Sequence, residues 1–148
     1  MSTKIVFDTN VCLDLFAFKD PRWETILLAL NNKELQAITR EDCRNEWLAV
    51  LHYPHLPVDD SNRAQIVASF DQYIVVEENP PKAIKLPICS DKDDQKFLET
   101  CRDASASILV TKDKALLKLA RKIQNLNLFI IETPEKFTAR LVAKAQVS

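Results

Sequence analysis

A chain of 148 residues with 47% hydrophobic residues and a formal net charge of −1 is expected to fold as one domain spanning residues 1–148. Domains commonly run about 100–150 residues, and such a length buries roughly 70% of the surface the unfolded chain exposes. The near-neutral charge argues neither for an acidic solvating tail nor for a general nucleic-acid-coating protein, so any nucleic-acid contact must come from a local patch.

There is no glycine. That excludes the P-loop, the Gly-x-Gly-x-x-Gly dinucleotide turn and the Gly-x-Ser-x-Gly nucleophile elbow. Left-handed backbone positions then fall to Asn, Asp or Ser at some local cost, with Asn31-Asn32 and Asn125 to Asn127 as expected helix C-caps. Cys12, Cys43, Cys89 and Cys101 lie far apart without a Cys-x-x-Cys pair. Met1 to Lys4 lead straight into Ile5-Val6-Phe7, so no signal peptide is expected. No run approaches the roughly 18–20 apolar residues of a membrane span. A cytoplasmic protein with reduced thiols and no membrane contact is the expectation.

Lys4 to Asp8 is a short apolar run ending in Asp-Thr-Asn and reads as a buried strand leaving a sheet. Apolar residues recur at helical spacing from Val11 to about Phe18 and from Trp23 to Leu30, with Pro21 between the two pieces. Leu35 to Thr39 is a second strand, and Thr39 is placed to cap a helix from about Arg40 to His52 with Trp47, Leu48 and Leu51 on its apolar stripe. Pro54 and Pro57 close it; Asp60-Ser61 opens the next helix, through about Asp71, and Tyr73 to Val76 is a third strand.

Asn79 to Pro87 carries three prolines and reads as a loop. Ser90 or Asp91 caps a helix running to about Arg102. Ser107 to Thr111 is a fourth strand, followed by a helix from about Lys114 to Lys122. Leu128 to Ile131 is a fifth strand, and Thr133-Pro134 starts a final helix. Short apolar strands alternating with helices indicate an α/β fold with a parallel sheet covered on both faces. Sites in such folds form outside the carboxyl ends of the strands, where the strand order reverses.

Asp8 ends the first strand and Asp113 lies just past the fourth, so neighbouring first and fourth strands would bring the two carboxylates together. Most of the 21 Asp and Glu residues must be solvated, since carboxylates are rarely buried. A carboxylate at each of two buried strand ends costs on the order of several kcal/mol in repulsion and desolvation unless a cation lies between them.

Ile-Val-Phe-Asp8-Thr9-Asn10-Val11, Glu46 on the second long helix, Asp91-Lys-Asp93-Asp94-Gln-Lys-Phe97-Leu98 and Leu-Val-Thr111-Lys-Asp113 together resemble the PIN-domain family. Thr133-Pro134-Glu-Lys-Phe137 resembles the close of its branch of toxins from type II toxin–antitoxin systems. The resemblance implies a three-layer α/β/α sandwich with a five-stranded parallel sheet ordered 3-2-1-4-5. It implies Mg²⁺- or Mn²⁺-dependent hydrolysis of single-stranded RNA, an antitoxin partner and a homodimer. It also implies that Asp8, Glu46, Asp94 and Asp113 are the metal-binding and catalytic acids, oriented by Asn10 and Thr111. Asp91 is either a fifth acid or only a helix N-cap, and Asp93 is expected to be solvated. Two departures are visible: Lys112 and Ala104-Ser105 stand where the family often has glycine, and Lys112 is expected to narrow or recharge the cleft.

Oxygen-only ligands suit hard cations. Two ions clamped by carboxylates would supply an activated water, charge relief and leaving-group help. Asp8 is expected to bridge them, flanked by Asp113 and Asp94, with Glu46 acting on the water as ligand or general base; a one-metal site is equally compatible. An acidic cleft repels RNA, so phosphate contacts must come from its rim. Lys114, Lys118 and Arg121 form an i, i+4, i+7 stripe, to which Lys112, Arg40 and Arg44 could add; an ordinary solvated helix face accounts for the same stripe. His52 and His55 flank Pro54 and read as a surface turn rather than a zinc-protease pair. A haloacid-dehalogenase-type phosphatase would need an acid where Asn10 stands. The other readings are a PIN-like module that binds RNA or protein without turnover, and an RNA-processing nuclease with no antitoxin.

Overall fold

A computed structural model describes residues 3–147, so Met1, Ser2 and Ser148, including part of the leader reading above, lie outside the described residues. Five parallel strands form one sheet in the order β3-β2-β1-β4-β5. They are β1 (Thr3–Phe7), β2 (Leu35–Thr39), β3 (Ile74–Val76), β4 (Ile108–Val110) and β5 (Ile130–Glu132). The expected strand order is present, and the decisive neighbours are β1 and β4, paired through Ile5↔Ile108, Val6↔Leu109 and Phe7↔Val110.

Alternate side chains of each strand feed opposite faces, as strand geometry demands. Ile5, Phe7, Ile108 and Val110 enter a core with the helices α1 (Thr9–Cys12), α2 (Glu24–Asn31), α3 (Glu41–Val50) and α4 (Arg63–Tyr73) and with Phe137 of α8 (Pro134–Val147). Val6, Ile38, Leu109 and Ile131 enter a second core with α5 (Gln95–Ala104), α6 (Lys114–Leu117) and α7 (Ala120–Asn125). Helices on both faces of the sheet make the α/β/α sandwich. Among the described residues no helix is long and apolar enough to cross a membrane.

Several local expectations are corrected. After α1 the chain continues as a π-helix, Leu13–Ala17, and a 3₁₀ turn at Pro21–Trp23 precedes α2. Thr39 does not cap α3: it ends β2, its hydroxyl donates to the Arg40 carbonyl, and the Cys43 N–H is met by Asp42 instead. Asp60-Ser61 lies in a turn in which Asp59 accepts from the Ser61 N–H, and α4 begins only at Arg63. Asp91, not Ser90, is the cap before α5.

The helix expected from Lys114 to Lys122 is two helices, broken at Lys118-Leu119. The left-handed position after α2 falls to Lys33 (φ 61°) rather than to Asn31 or Asn32, and Lys19 adopts another (φ 51°). Ser105 (φ 57°) and Asn127 (φ 56°) match the residue types expected there. Thr133 caps α8 as expected, accepting from the Lys136 N–H at 3.2 Å.

Candidate active site

The carboxyl ends of β1 and β4 are locked together just beyond their last ladder pair. The Asp8 N–H donates to the Val110 carbonyl at 3.1 Å, while on the other side of β4 the Thr111 N–H donates to the Glu132 carbonyl of β5 at 3.0 Å. Asp8 is buried at 3% exposure. It caps α1, accepting from the backbone N–H groups of Asn10 (2.8 Å) and Val11 (3.4 Å) on Oδ1 and from the Thr111 hydroxyl on Oδ2. The same Thr111 oxygen accepts from the Asp113 N–H at 3.0 Å, so one buried threonine ties the two strand-end acids into a single unit. Asp113 in turn caps α6, accepting from the Ala115 N–H at 2.8 Å.

The third contribution comes from the 3₁₀ turn Lys92–Asp94, which leads directly into α5. Phe97, Leu98 and Cys101 bury the apolar face of α5 against the sheet and so hold that turn beside Asp113. Asp91, Asp94 and Asp113 each bring a carboxylate oxygen within 4.8 Å of the other two. Asp91 therefore does both things open to it: it caps the turn, accepting from the Asp93 N–H at 3.0 Å, and it joins the acid cluster. Asp93 is exposed, as expected.

Asp8 and Glu46 line the same cleft of about 200 Å³, along with Thr9, Asn10 and Phe97, but stand outside the tight cluster. A larger hollow of about 390 Å³, lined by Leu15, Phe16, Leu27 and Tyr73 among others, contains none of these acids. The chemistry follows the acids, not the volume.

Electrostatics mark this cleft as one built for a cation. Asp94 is pushed up to about 8, chiefly by burial, then by the Asp113 carboxyl beside it and the charges of Asp91 and Asp8. Its Oδ2 is buried and has no hydrogen-bond partner, a cost native structures rarely leave unmet. Asp8 is also raised, by burial, against its opposing hydrogen bonds and with Asp113 adding repulsion. An oxygen-only donor set with an orphaned buried carboxylate oxygen fits a hard divalent cation.

Glu46, on α3, is half-buried, with one oxygen accepting from Lys96 Nζ at 2.8 Å and the other from the Thr9 hydroxyl. The residue that reaches Glu46 from the Asp-Thr-Asn motif is thus Thr9, while Asn10 serves Asp8 through its backbone. Sequence reading passed over Thr9 and Lys96, because neither differs in type or spacing from an ordinary surface residue.

Lys112 does not recharge the cleft: it reaches Asp14 on the π-helix at 2.8 Å, and Asp14 also accepts from Trp23 Nε1. Arg40 is held by Asp42 and Glu99, and Arg44 by Asp71. Lys114, Lys118 and Arg121 are exposed, with no ion pair among the described residues, although the break after α6 removes the single helix on which they formed a stripe. All four cysteines are buried and unpaired, and burial pushes the Cys12 and Cys101 thiols up, so they are core side chains rather than nucleophiles.

The acid cleft lies at the strand-order reversal between β1 and β4, where parallel α/β sheets form their sites. The PIN domain family matches residues 4–115, and the chain belongs to that family, whose members are generally metal-dependent nucleases. No curated protein and no solved structure matches the chain significantly.

Proposed function

We propose that the protein is an endoribonuclease that hydrolyses phosphodiester bonds of single-stranded RNA with Mg²⁺ or Mn²⁺, acting as the toxin of a toxin–antitoxin pair. The observation that carries the hydrolase reading is the convergence of Asp91, Asp94 and Asp113 within 4.8 Å, with Asp94 Oδ2 buried and unpartnered. Asp91, Asp94 and Asp113 would hold the ion, with Asp8 completing the set from the end of β1. A divalent cation bound there supplies charge relief on the phosphoryl oxygens and lowers the pKa of a bound water.

The chain's own residues do the rest. Thr111 keeps Asp8 and Asp113 at a fixed separation by bonding to both. Glu46 faces the cleft from α3 and acts on the attacking water. The exposed Lys114, Lys118 and Arg121 lie beyond Asp113 and supply the phosphate contacts that an acidic cleft cannot.

Asp8→Asn should abolish Mn²⁺-dependent cleavage of single-stranded RNA, by roughly 100-fold or more for a group central to transition-state stabilisation, while circular dichroism stays native. Undiminished cleavage would sink the assignment. Expression of the wild type alone should arrest growth, and Asp8→Asn should not; cleavage in vitro without growth arrest would favour RNA processing over a toxin role.

A further inference from the structure

Glu46 is held differently from the acids of the cluster, because a lysine stands against it. Lys96 Nζ donates to Glu46 Oε1 at 2.8 Å and also to the Asp93 carbonyl, so it bridges α3 to the turn that carries Asp94. The Lys96 side chain is only 17% exposed, and its ammonium lies 5.3 Å from the ring centroid of Phe97, which lines the cleft. Thr9 at the start of α1 donates to Glu46 Oε2. Each oxygen of Glu46 therefore has one protein donor. A carboxylate offers about four lone-pair sites, so about two are left to face the cleft. An ammonium within hydrogen-bond range of Oε1 also puts a like charge against any divalent ion that would use that oxygen.

We propose that Lys96 is a positioning residue: with Thr9 it keeps Glu46 out of the metal-ligand set and aims its remaining lone pairs at the attacking water. The proposal rests on the nuclease reading above and deepens it. Glu46 becomes the water-orienting group, and the choice between ligand and base is made by a side chain on a different helix.

The test compares wild type, Asp8→Asn, Lys96→Met, Lys96→Arg and Glu46→Gln, each measured for Mn²⁺-dependent cleavage of a single-stranded RNA and, without RNA, for Mn²⁺ binding by calorimetry. Lys96→Met should lower kcat by roughly 10- to 100-fold, the effect of losing alignment of a reacting group, with KM little changed. Lys96→Arg should recover most of that loss. Glu46→Gln should lower kcat while costing no more than about 100-fold in Mn²⁺ affinity, the range for a group outside the ligand set.

A Glu46→Gln protein that loses Mn²⁺ binding by more than about 100-fold, beyond the loss expected of a group outside the ligand set, makes Glu46 a ligand and overturns the proposal. A Lys96→Met protein whose KM rises, with a flatter salt dependence and kcat intact, makes Lys96 a phosphate contact and overturns it equally. Wild type and Asp8→Asn cleaving alike would overturn the nuclease reading and this proposal with it. Cleavage that needs Asp8 but is indifferent to Lys96 overturns this proposal alone. Should Lys96→Met melt below the assay temperature, Thr9→Val removes the other donor and carries the same expectation.

Discussion

Asp94 concentrates the cost of the cleft. Its carboxyl is raised from an ordinary 3.8 to about 8 by burial and by the acids around it. The folded, metal-free protein consequently retains a proton that the unfolded chain releases. The benefit of that proton is fully present below the unfolded value near 3.8 and is lost as pH rises through about 8. Metal-free protein should therefore lose thermal stability progressively between those limits, and the raised carboxyl of Asp8 adds a slope of the same sign. Asp94→Asn should flatten the curve and melt higher than wild type at pH 8; melting temperatures of chelator-treated protein across pH 5–9 decide it.

The residue scale also limits what a sequence can disclose. Asp8 and Asp113 were legible because one directly follows a buried apolar strand end and the other lies three residues past one, where a solvated role is implausible. Asp91 was not, because capping a turn and holding a cation call for the same side chain. Thr9 and Lys96 act through contacts with Glu46 from 37 and 50 residues away, and no local pattern encodes such distances.

Among the elements, β1 and β2 were readable at nearly their true limits, since each closes on three consecutive buried residues, Ile5 to Phe7 and Ala37 to Thr39, a run too short for a helix. The division between α6 and α7 was hidden. Leu116 and Ile123 are both fully buried at the seven-residue spacing of one helix, while the break needs only a small backbone shift at Leu119 (φ −91°, ψ −3°). The π-helical turn at Leu13–Ala17 was hidden for the same reason: its residues are buried on an apolar face whichever helical hydrogen-bond pattern they use.

Absence of glycine leaves a clearer mark at this scale. Lys33, just after α2, occupies a left-handed conformation that costs a residue with a Cβ roughly 1–2 kcal/mol, whereas glycine pays about 0.5–1 kcal/mol in lost freedom. Lys33→Gly should stabilise the protein by about 0.5–1 kcal/mol, a rise of roughly 1–4 °C in melting temperature for a domain of this size. An unchanged or lower melting temperature would show that the Lys33 side chain makes a compensating contribution.

Over the whole molecule, the cleft is where distant segments meet: Asp8 from the end of β1, Glu46 from α3, Asp91 and Asp94 from the turn before α5, and Asp113 after β4. These acids repel one another in the metal-free fold and are dispersed on unfolding, so an ion that binds them stabilises the native state specifically. At a concentration 100 times its dissociation constant, a ligand of the native state alone adds about 2.7 kcal/mol, which is roughly 5–10 °C in melting temperature here. Saturating Mn²⁺ should produce a rise of that order at pH 8, where Asp94 is about half ionised, and monovalent salt at matched ionic strength should not. Asp113→Asn and Asp94→Asn should each lose most of the rise. Because Asp94→Asn already melts higher without metal, its curves with and without Mn²⁺ should nearly coincide. The side chain that costs the metal-free fold most is then the one through which the ion stabilises it, and a wild type indifferent to Mn²⁺ would contradict that coupling.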